Sequence, residues 1–219
     1  MPELVDKIAI CIERGKINIQ SPFPTDLKGQ EGADELAAQA VKEGITPDAI
    51  LESCILGMEK IGDKFSKNQA FVPELLMSAK AMTMAMEHLK PFFDSGAVKT
   101  RGTFVIGTVA GDLHDIGKNI VAMVVKGGGW EIIDLGVDVP AERFAEEAKK
   151  HPDCVVGLST LLTTTLENME NTIKLLREQG FTGKVIIGGA PVTQEIADKV
   201  GADVFGANPQ DAQKFLDTL

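Results

Sequence analysis

The sequence predicts an α/β protein in which a helical bundle precedes a flavodoxin-like (Rossmann-like), doubly wound domain with a five-stranded parallel sheet. Residues 1–92 carry apolar side chains at helical spacing and hold no convincing strand. Residues 101–219 alternate short β-branched runs with amphipathic helical stretches, which is typical of a parallel sheet. The polar, glycine-containing stretch 93–100 between them is predicted to be a linker.

The first region predicts about four helices. Thr46 is an expected N-cap followed by Pro47, Pro73 opens a later helix, and Pro91 is expected to end it. The apolar residues that define the buried faces fall into three series: Leu36, Ala37, Ala40 and Val41; then Ile50, Cys54, Ile55, Met58 and Ile61; then Leu75, Leu76, Ala79, Met82, Met86 and Leu89.

The second region predicts five strands and five helices in alternation. The strand segments are nearly continuous apolar runs, so both faces of the sheet are expected to be covered. Ligands of such a sheet bind beyond the carboxyl ends of its strands. The strands are expected at 103–109, 131–134, 154–158, 184–187 and 203–205, and the helices near residues 116, 141, 165, 193 and 210.

Composition and charge exclude several classes of function. Of 219 residues, 44% are hydrophobic and 25% charged, so the chain is not of the disordered type. The formal net charge of −10 disfavours nucleic acid and an anionic membrane surface as partners. The N-terminus does not resemble a signal peptide, and no apolar run is long enough to span a membrane. Cys11, Cys54 and Cys154 are expected to be reduced core residues of a cytoplasmic protein.

The segment most indicative of chemistry follows the first strand. Here His114 lies between Asp112 and Asp115, in a loop at the expected carboxyl edge of the sheet. An imidazole binds a metal through one ring nitrogen when an acceptor such as the Asp112 carboxylate holds the other. One histidine cannot build a zinc site, whereas a metal inside a macrocycle needs only an axial ligand. The alternative interpretation is a surface ion pair, or a capping aspartate beside a chance histidine.

Three short motifs at successive strand ends strengthen the first interpretation. Together they resemble the Asp-x-His-x-x-Gly, Ser-x-Leu and Gly-Gly elements of cobalamin-binding domains, such as the cobalamin module of methionine synthase. The elements occur in the order of that family. They are Asp112-x-His114-x-x-Gly117, Ser159-Thr160-Leu161 and Gly188-Gly189.

The resemblance implies cobalamin as cofactor, with His114 as the lower axial ligand of cobalt in place of the cofactor's own base ("base-off, His-on"). Asp112 would accept the hydrogen bond from the second ring nitrogen. A hydroxyl, usually serine in the family, would complete this relay, and Thr165 stands at the matching position here.

The same resemblance implies a slot for the nucleotide tail of the cofactor. Ser159 and Thr163 would line it, and Gly188 and Gly189 would let the tail approach the backbone closely. The other residues expected to touch the cofactor are Gly111, Leu113, Asp115, Gly117 and Leu161.

The helical region resembles the cap that precedes the cobalamin domain in methyltransferases, notably over residues 57–65 and 71–82. Phe65 and Val72 match the side chains that cover the methyl face of the corrin in that family. The alternative is that both belong to the core of the bundle. The resemblance thus implies a cap over 1–92, a linker over 93–100 and a cobalamin-binding domain over 101–219, with residues 94–100 as a hinge for cap motion.

The function implied is that of a corrinoid protein that carries a methyl group on cobalt. A donor-specific methyltransferase would load it from a methylamine, methanol or a methoxylated compound. An acceptor methyltransferase would pass the methyl to tetrahydrofolate or coenzyme M, and an ATP-dependent reductive activase would be a further partner. Two alternatives are a cobalamin-dependent sensor or regulatory module, and a phosphoacceptor domain that uses Asp112 or Asp115.

Overall fold

The computed structural model describes residues 2–95 and 99–219. It divides the chain into two compact units, one formed by Met1–Thr100 with Gly127–Gly129 and the other by Arg101–Lys126 with Trp130–Leu219. Residues 96–98, the middle of the expected linker and hinge, lie outside the described residues. The domain roles expected from the sequence therefore stay predictions.

The first unit is helical, and its described part contains no strand. The Thr46 side chain caps its third helix by accepting a hydrogen bond from the Ala49 N–H. Pro91 does not end a long helix as expected but lies in the first turn of a separate short one, where a missing N–H costs nothing. The helices are α1 (Pro2–Glu13), α2 (Ala33–Lys42), α3 (Pro47–Ser66), α4 (Val72–Glu87) and α5 (Lys90–Asp94).

Helix α1 packs against α2, α3 and α4 and forms the centre of this unit. Its Ile8 and Ile12 are fully buried. At Gly57 of α3 an added Cβ would lie 2.7 Å from the backbone oxygen of Ala9. Glycine is therefore what allows α3 and α1 to approach so closely. None of the described helices is long and apolar enough to cross a lipid bilayer.

The second unit is a five-stranded sheet in the order β2-β1-β3-β4-β5, with every strand pair parallel. This confirms the predicted fold class, with element boundaries shifted by one or two residues. The strands are β1 (Thr103–Thr108), β2 (Glu131–Asp134), β3 (Val155–Ser159), β4 (Val185–Gly188) and β5 (Val204–Gly206). The helices are α6 (Ile116–Gly127), α7 (Ala141–Lys150), α8 (Leu166–Glu178), α9 (Gln194–Val200) and α10 (Pro209–Leu216).

Both faces of the sheet are buried. On one face, Phe144 of α7 and Met169 of α8 pack in the larger hydrophobic core. On the other, Val125 of α6 and Leu216 of α10 pack on Phe104. The strand order reverses between β1 and β3, so the loops that follow these two strands diverge and form the crevice where doubly wound folds bind ligands.

Asp203, just before β5, ties the amino ends of β4 and β5 together. Its carboxylate accepts hydrogen bonds from the Val185 N–H, from Arg177 and from Lys184, at 2.9, 2.7 and 2.9 Å. Burial alone would raise the pKa of Asp203, but Lys184, the Val185 N–H and Arg177 outweigh it and lower the pKa.

We therefore expect Asp203→Asn to lower the free energy of unfolding by about 1 kcal/mol at neutral pH. A carboxyl whose pKa is depressed in the folded state contributes stability above its ordinary pKa of about 4 and loses it as the pH falls. Urea unfolding at pH 7 and at pH 3 measures the difference. If the difference in the free energy of unfolding between wild type and variant were larger at pH 3 than at pH 7, this account would be contradicted.

Candidate functional site

The loop between β1 and α6 presents His114 beside a fully buried carboxylate. Asp112 Oδ1 accepts hydrogen bonds from the His114 backbone N–H at 3.0 Å and from the ring Nδ1 at 2.6 Å. Because a carboxylate only accepts, Nδ1 carries a proton, and in the neutral ring Nε2 keeps its lone pair. The His114 side chain is 52% exposed, and its Nε2 has no hydrogen-bond partner within the described parts of the chain.

The second oxygen of Asp112 is held by the two residues that follow β3. Oδ2 accepts from the Leu161 N–H at 2.5 Å and from the Thr160 hydroxyl at 2.9 Å. Burial alone would raise the pKa of Asp112, but hydrogen bonds from the Leu161 and His114 N–H groups, the imidazole and Thr160 hold it well below its usual range. Asp112 is thus a permanent acceptor that fixes both the orientation and the tautomer of His114.

Thr160 is a member of this network that the sequence reasoning did not identify. Its single hydroxyl proton is donated to Asp112, so Thr160 accepts from Thr165, whose Oγ1 lies 2.5 Å away. Thr165, the residue predicted to complete the relay, therefore reaches Asp112 only through Thr160. The sequence feature that could have identified Thr160 is its hydroxyl, at the middle position of Ser159-Thr160-Leu161.

We expect Thr160→Val to lower the free energy of unfolding by about 1–3 kcal/mol, because it removes one donor from the buried Asp112 and separates Thr165 from the network. Thr160→Ser keeps the hydroxyl and is the matched control. Chemical denaturation of both variants measures the effect. If valine and serine lowered stability equally, the hydroxyl would not be the group that matters.

Three further side chains hold the backbone of the His114 loop, and none of them was expected from the sequence. The Gly111 N–H donates to Asp138 Oδ1 at 2.6 Å, and the Asp138 N–H donates to the Asp112 carbonyl at 2.9 Å. Asn168 donates to the Ala110 carbonyl, and Thr108 to the His114 carbonyl. Gly111 has φ +82, a conformation that glycine adopts readily. The loop is therefore fixed from β1, from the segment after β2 and from α8.

Exposed apolar side chains occur in the two segments that form and hold the His114–Asp112 pair. Leu113 and Ile116, in the same segment as His114, are each 72% exposed, and Leu161 and Leu162, after β3, are also exposed. Large apolar residues exposed together mark a binding surface. Leu113 and Leu161 were predicted as cofactor contacts, whereas Ile116 and Leu162 were not.

Gly188, the last residue of β4, and Gly189, which follows it, both contact Thr160, the residue after β3. The Thr160 N–H donates to the Gly188 carbonyl at 3.1 Å. At Gly189, with φ +126, an added Cβ would lie 1.7 Å from the Thr160 carbonyl oxygen. Gly189 therefore permits a close approach of two backbone segments, in addition to the tail contact expected of it.

The remaining predicted residues fall into two groups. Ser159, Thr163, Asp115 and Gly117 lie at the same carboxyl edge as His114; Ser159 is partly exposed and the other three are exposed. Asp115 accepts a hydrogen bond from the Asn119 side chain at 3.0 Å. Phe65 and Val72 belong to the helical unit, at the end of α3 and the start of α4, and both are half-buried. Their contact with the cofactor stays a prediction.

The side chains present fit a metal that arrives inside a macrocycle. Within the described residues, no three histidine, cysteine or carboxylate side chains are grouped to hold a metal ion. The site instead offers one oriented imidazole beside an apolar surface. The phosphoacceptor alternative is disfavoured for Asp112, because its carboxylate is fully buried and already accepts four hydrogen bonds.

Family models describe both regions of the chain. A B12 binding domain model matches residues 102–212, and a second B12 binding domain model matches residues 29–90. Trimethylamine corrinoid protein 2 of Methanosarcina acetivorans is 42% identical over 188 residues, which is 84% of this chain and 87% of that protein. Dimethylamine corrinoid protein 1 of the same organism is 42% identical over 180 residues, 80% of this chain and 84% of that protein.

Solved structures are similar over nearly the whole chain. The methanol:cobalamin methyltransferase complex of Methanosarcina barkeri matches with a TM-score of 0.81 at 30% identity, covering 99% of this chain and 79% of that one. A cobalamin-binding protein from Desulfitobacterium hafniense matches with a TM-score of 0.77 at 30% identity, covering 98% and 97%.

The doubly wound fold, the oriented imidazole and these similarities define a cobalamin-binding protein. More particularly, the chain belongs to the B12-binding domain family, within the group of corrinoid proteins, and its cofactor is cobalamin.

Proposed function

We propose that this protein carries a methyl group on the cobalt of a base-off, His-on cobalamin, between a donor methyltransferase and an acceptor methyltransferase. The observation that carries the proposal is the His114–Asp112 pair, in which Nδ1 is held at 2.6 Å and Nε2 is left without a partner in the described parts of the chain. The names of the relatives, trimethylamine and dimethylamine corrinoid proteins, support a role in methylamine metabolism.

The residues of the chain bind and orient in this proposal. His114 Nε2 would supply the lower ligand of cobalt, and Asp112 would hold the proton on Nδ1 so that Nε2 stays a donor. Thr160 and Thr165, in the segment between β3 and α8, would hold Asp112 in place. Leu113, Ile116 and Leu161 would pack on the apolar edge of the corrin. Bound cobalamin supplies a cobalt centre that accepts and releases a methyl group.

The second unit would bind the cofactor, and the helical cap over residues 1–92 would shield it, with Phe65 and Val72 over the reactive face. The partners we propose are a methylamine- or methanol-specific methyltransferase, an acceptor methyltransferase that uses coenzyme M or tetrahydrofolate, and an ATP-dependent reductive activase. The three free, buried cysteines suit a reducing compartment such as the cytoplasm.

The proposal is tested by methyl transfer with purified donor enzymes. The protein is reconstituted anaerobically with hydroxocobalamin, reduced with titanium(III) citrate, and mixed with a trimethylamine, dimethylamine or methanol methyltransferase and its substrate. We expect one of these to transfer about one methyl group per bound corrinoid, read from the absorption spectrum. Free cobalamin at the same concentration is the control. A holo-protein that accepts no methyl group from any of these systems would refute the carrier function.

A further inference from the structure

We infer that Gln210, with Gln213 beside it, recognises the lower base of the cofactor, which is the base at the end of its nucleotide tail. The two glutamines would select a base with a hydrogen-bonding edge, such as adenine, over 5,6-dimethylbenzimidazole. The inference rests on the proposed function, because the lower base can contact the protein only when His114 replaces that base as the ligand of cobalt. It assigns a specificity role to residues outside the three motifs.

A row of small residues crosses the carboxyl edge of the sheet. The strand register aligns Thr108 with Ser159, Ser159 with Gly188, and Gly188 with Gly206. Ser159, Gly188 and Gly206 are only partly buried. Because Gly188 and Gly206 carry no side chain and Ser159 carries a short one, we infer a slot at this edge that a ligand can enter.

This row faces α10. Side chains alternate between the two faces of a strand, so Gly188 shares a face with Ile186, which packs against Ala212 and Leu216 of α10. At Gly206 an added Cβ would lie 3.9 Å from the Ala212 nitrogen. The slot therefore lies between the sheet and the start of α10.

Gln210 stands in the first turn of α10, on its buried face, together with Gln213 one turn further on. Gln210 is 4% exposed, yet among the described residues neither its Oε1 nor its Nε2 has a hydrogen-bond partner, and Gln213 Oε1 has none there either. In the described part of the chain, four buried side-chain atoms have no partner, and these are three of them. The fourth is the Trp130 ring nitrogen, which lies at the opposite end of the sheet beside Gly102.

A buried amide without partners is costly, and folded proteins rarely keep one. Leucine has nearly the same volume and would bury without this penalty. Gln210 therefore points to a ligand that supplies its missing partners. The ligand must offer a donor for Oε1 and an acceptor for Nε2 next to each other.

Adenine offers such an edge, because its amino group and ring nitrogens pair with a glutamine amide in a bidentate manner. Dimethylbenzimidazole has two methyl groups and one free ring nitrogen, so at least one atom of the amide would stay unpaired. A site built to hydrogen-bond its ligand discriminates strongly against an analogue that lacks the bonding groups.

The test compares three corrinoids on the full-length protein: cobalamin, its adenine-based analogue, and cobinamide, which lacks the nucleotide tail. Dissociation constants are measured for wild type, for Gln210→Leu and for Gln179→Leu, which changes an exposed glutamine at the end of α8. We expect wild type to bind the adenine form at least about tenfold more tightly than cobalamin. Gln210→Leu should abolish this preference and leave the affinity for cobinamide unchanged, and Gln179→Leu should behave as wild type.

Equal affinity of wild type for the two complete corrinoids, or an unchanged ratio in Gln210→Leu, would overturn the inference while leaving the carrier function intact. If wild type bound none of the three corrinoids, both the inference and the proposed function would be refuted. Thermal melting of the apo-proteins is the second measurement. Gln210→Leu should melt no lower than wild type, and a drop of several degrees would make the amide a structural group and overturn its role in base selection.

Discussion

Replacement of His114 by alanine is expected to change the absorption spectrum of bound cobalamin from base-off, His-on to a form without histidine ligation. The cobalt would lose its nitrogen ligand, and Asp112 would lose the ring that it holds at 2.6 Å. We also expect the corrinoid retained after desalting to fall by at least about tenfold, since a lost ligand–metal bond is worth more than the 1.4 kcal/mol of one decade. The loop backbone should survive, because Thr108, Asp138 and Asn168 hold it independently of the ring.

The matched control is His151→Ala, which removes a histidine at the carboxyl end of α7 that pairs with Glu147 at 3.5 Å. This variant should bind cobalamin with the wild-type spectrum. The account fails if His114→Ala retains cobalamin with an unchanged spectrum, because the imidazole would then not be the ligand.

Replacement of Gly189 by alanine is expected to cause the second large effect. The new Cβ would lie 1.7 Å from the Thr160 carbonyl oxygen, in a backbone conformation with φ +126. Relief of this overlap must move Thr160 away from Gly188 and Asp112. We expect the free energy of unfolding to fall by about 2–4 kcal/mol, with a parallel loss of cobalamin binding, both measured on the same preparation.

Gly201→Ala is the control that separates the effect of the positive φ from the effect of the overlap with Thr160. Gly201 also has a positive φ, of +76, but apart from its chain neighbours no atom of the described residues lies within 4 Å of an added Cβ. This variant should lose only about 1 kcal/mol, the conformational cost alone, and should bind cobalamin normally. A Gly189→Ala protein as stable as Gly201→Ala would mean that the backbone contact with Thr160 does not constrain the site.

Much of the fold could be predicted because two periodicities dominate the chain. Alternation of β-branched runs and helical stretches placed all five strands of the second unit, and proline and threonine marked the start of α3. Pro91 was misinterpreted, since the same residue serves as a helix terminator or as a first-turn residue, and only the backbone before it decides between them.

The parts of the site that could be predicted are those in which the interacting residues are close together in the sequence. Asp112 and His114 are two positions apart and meet through their own loop. Thr160 and Asp138 reach the same loop from the segments that follow β3 and β2, and this proximity depends on the strand order and register, which no local pattern encodes. Gln210 resembles any polar residue in the first turn of a helix, and only its burial without partners distinguishes it.

The central claim, that His114 ligates cobalt, is tested most directly by electron paramagnetic resonance of the cobalt(II) form. The protein is prepared with ¹⁵N-labelled histidine and loaded with unlabelled cobalamin. If an imidazole nitrogen binds cobalt, the superhyperfine splitting should change from the triplet of ¹⁴N to the doublet of ¹⁵N, and His114→Ala should show neither. A triplet that persists in the labelled protein would mean that the cofactor's own base remains on cobalt, and would contradict the account.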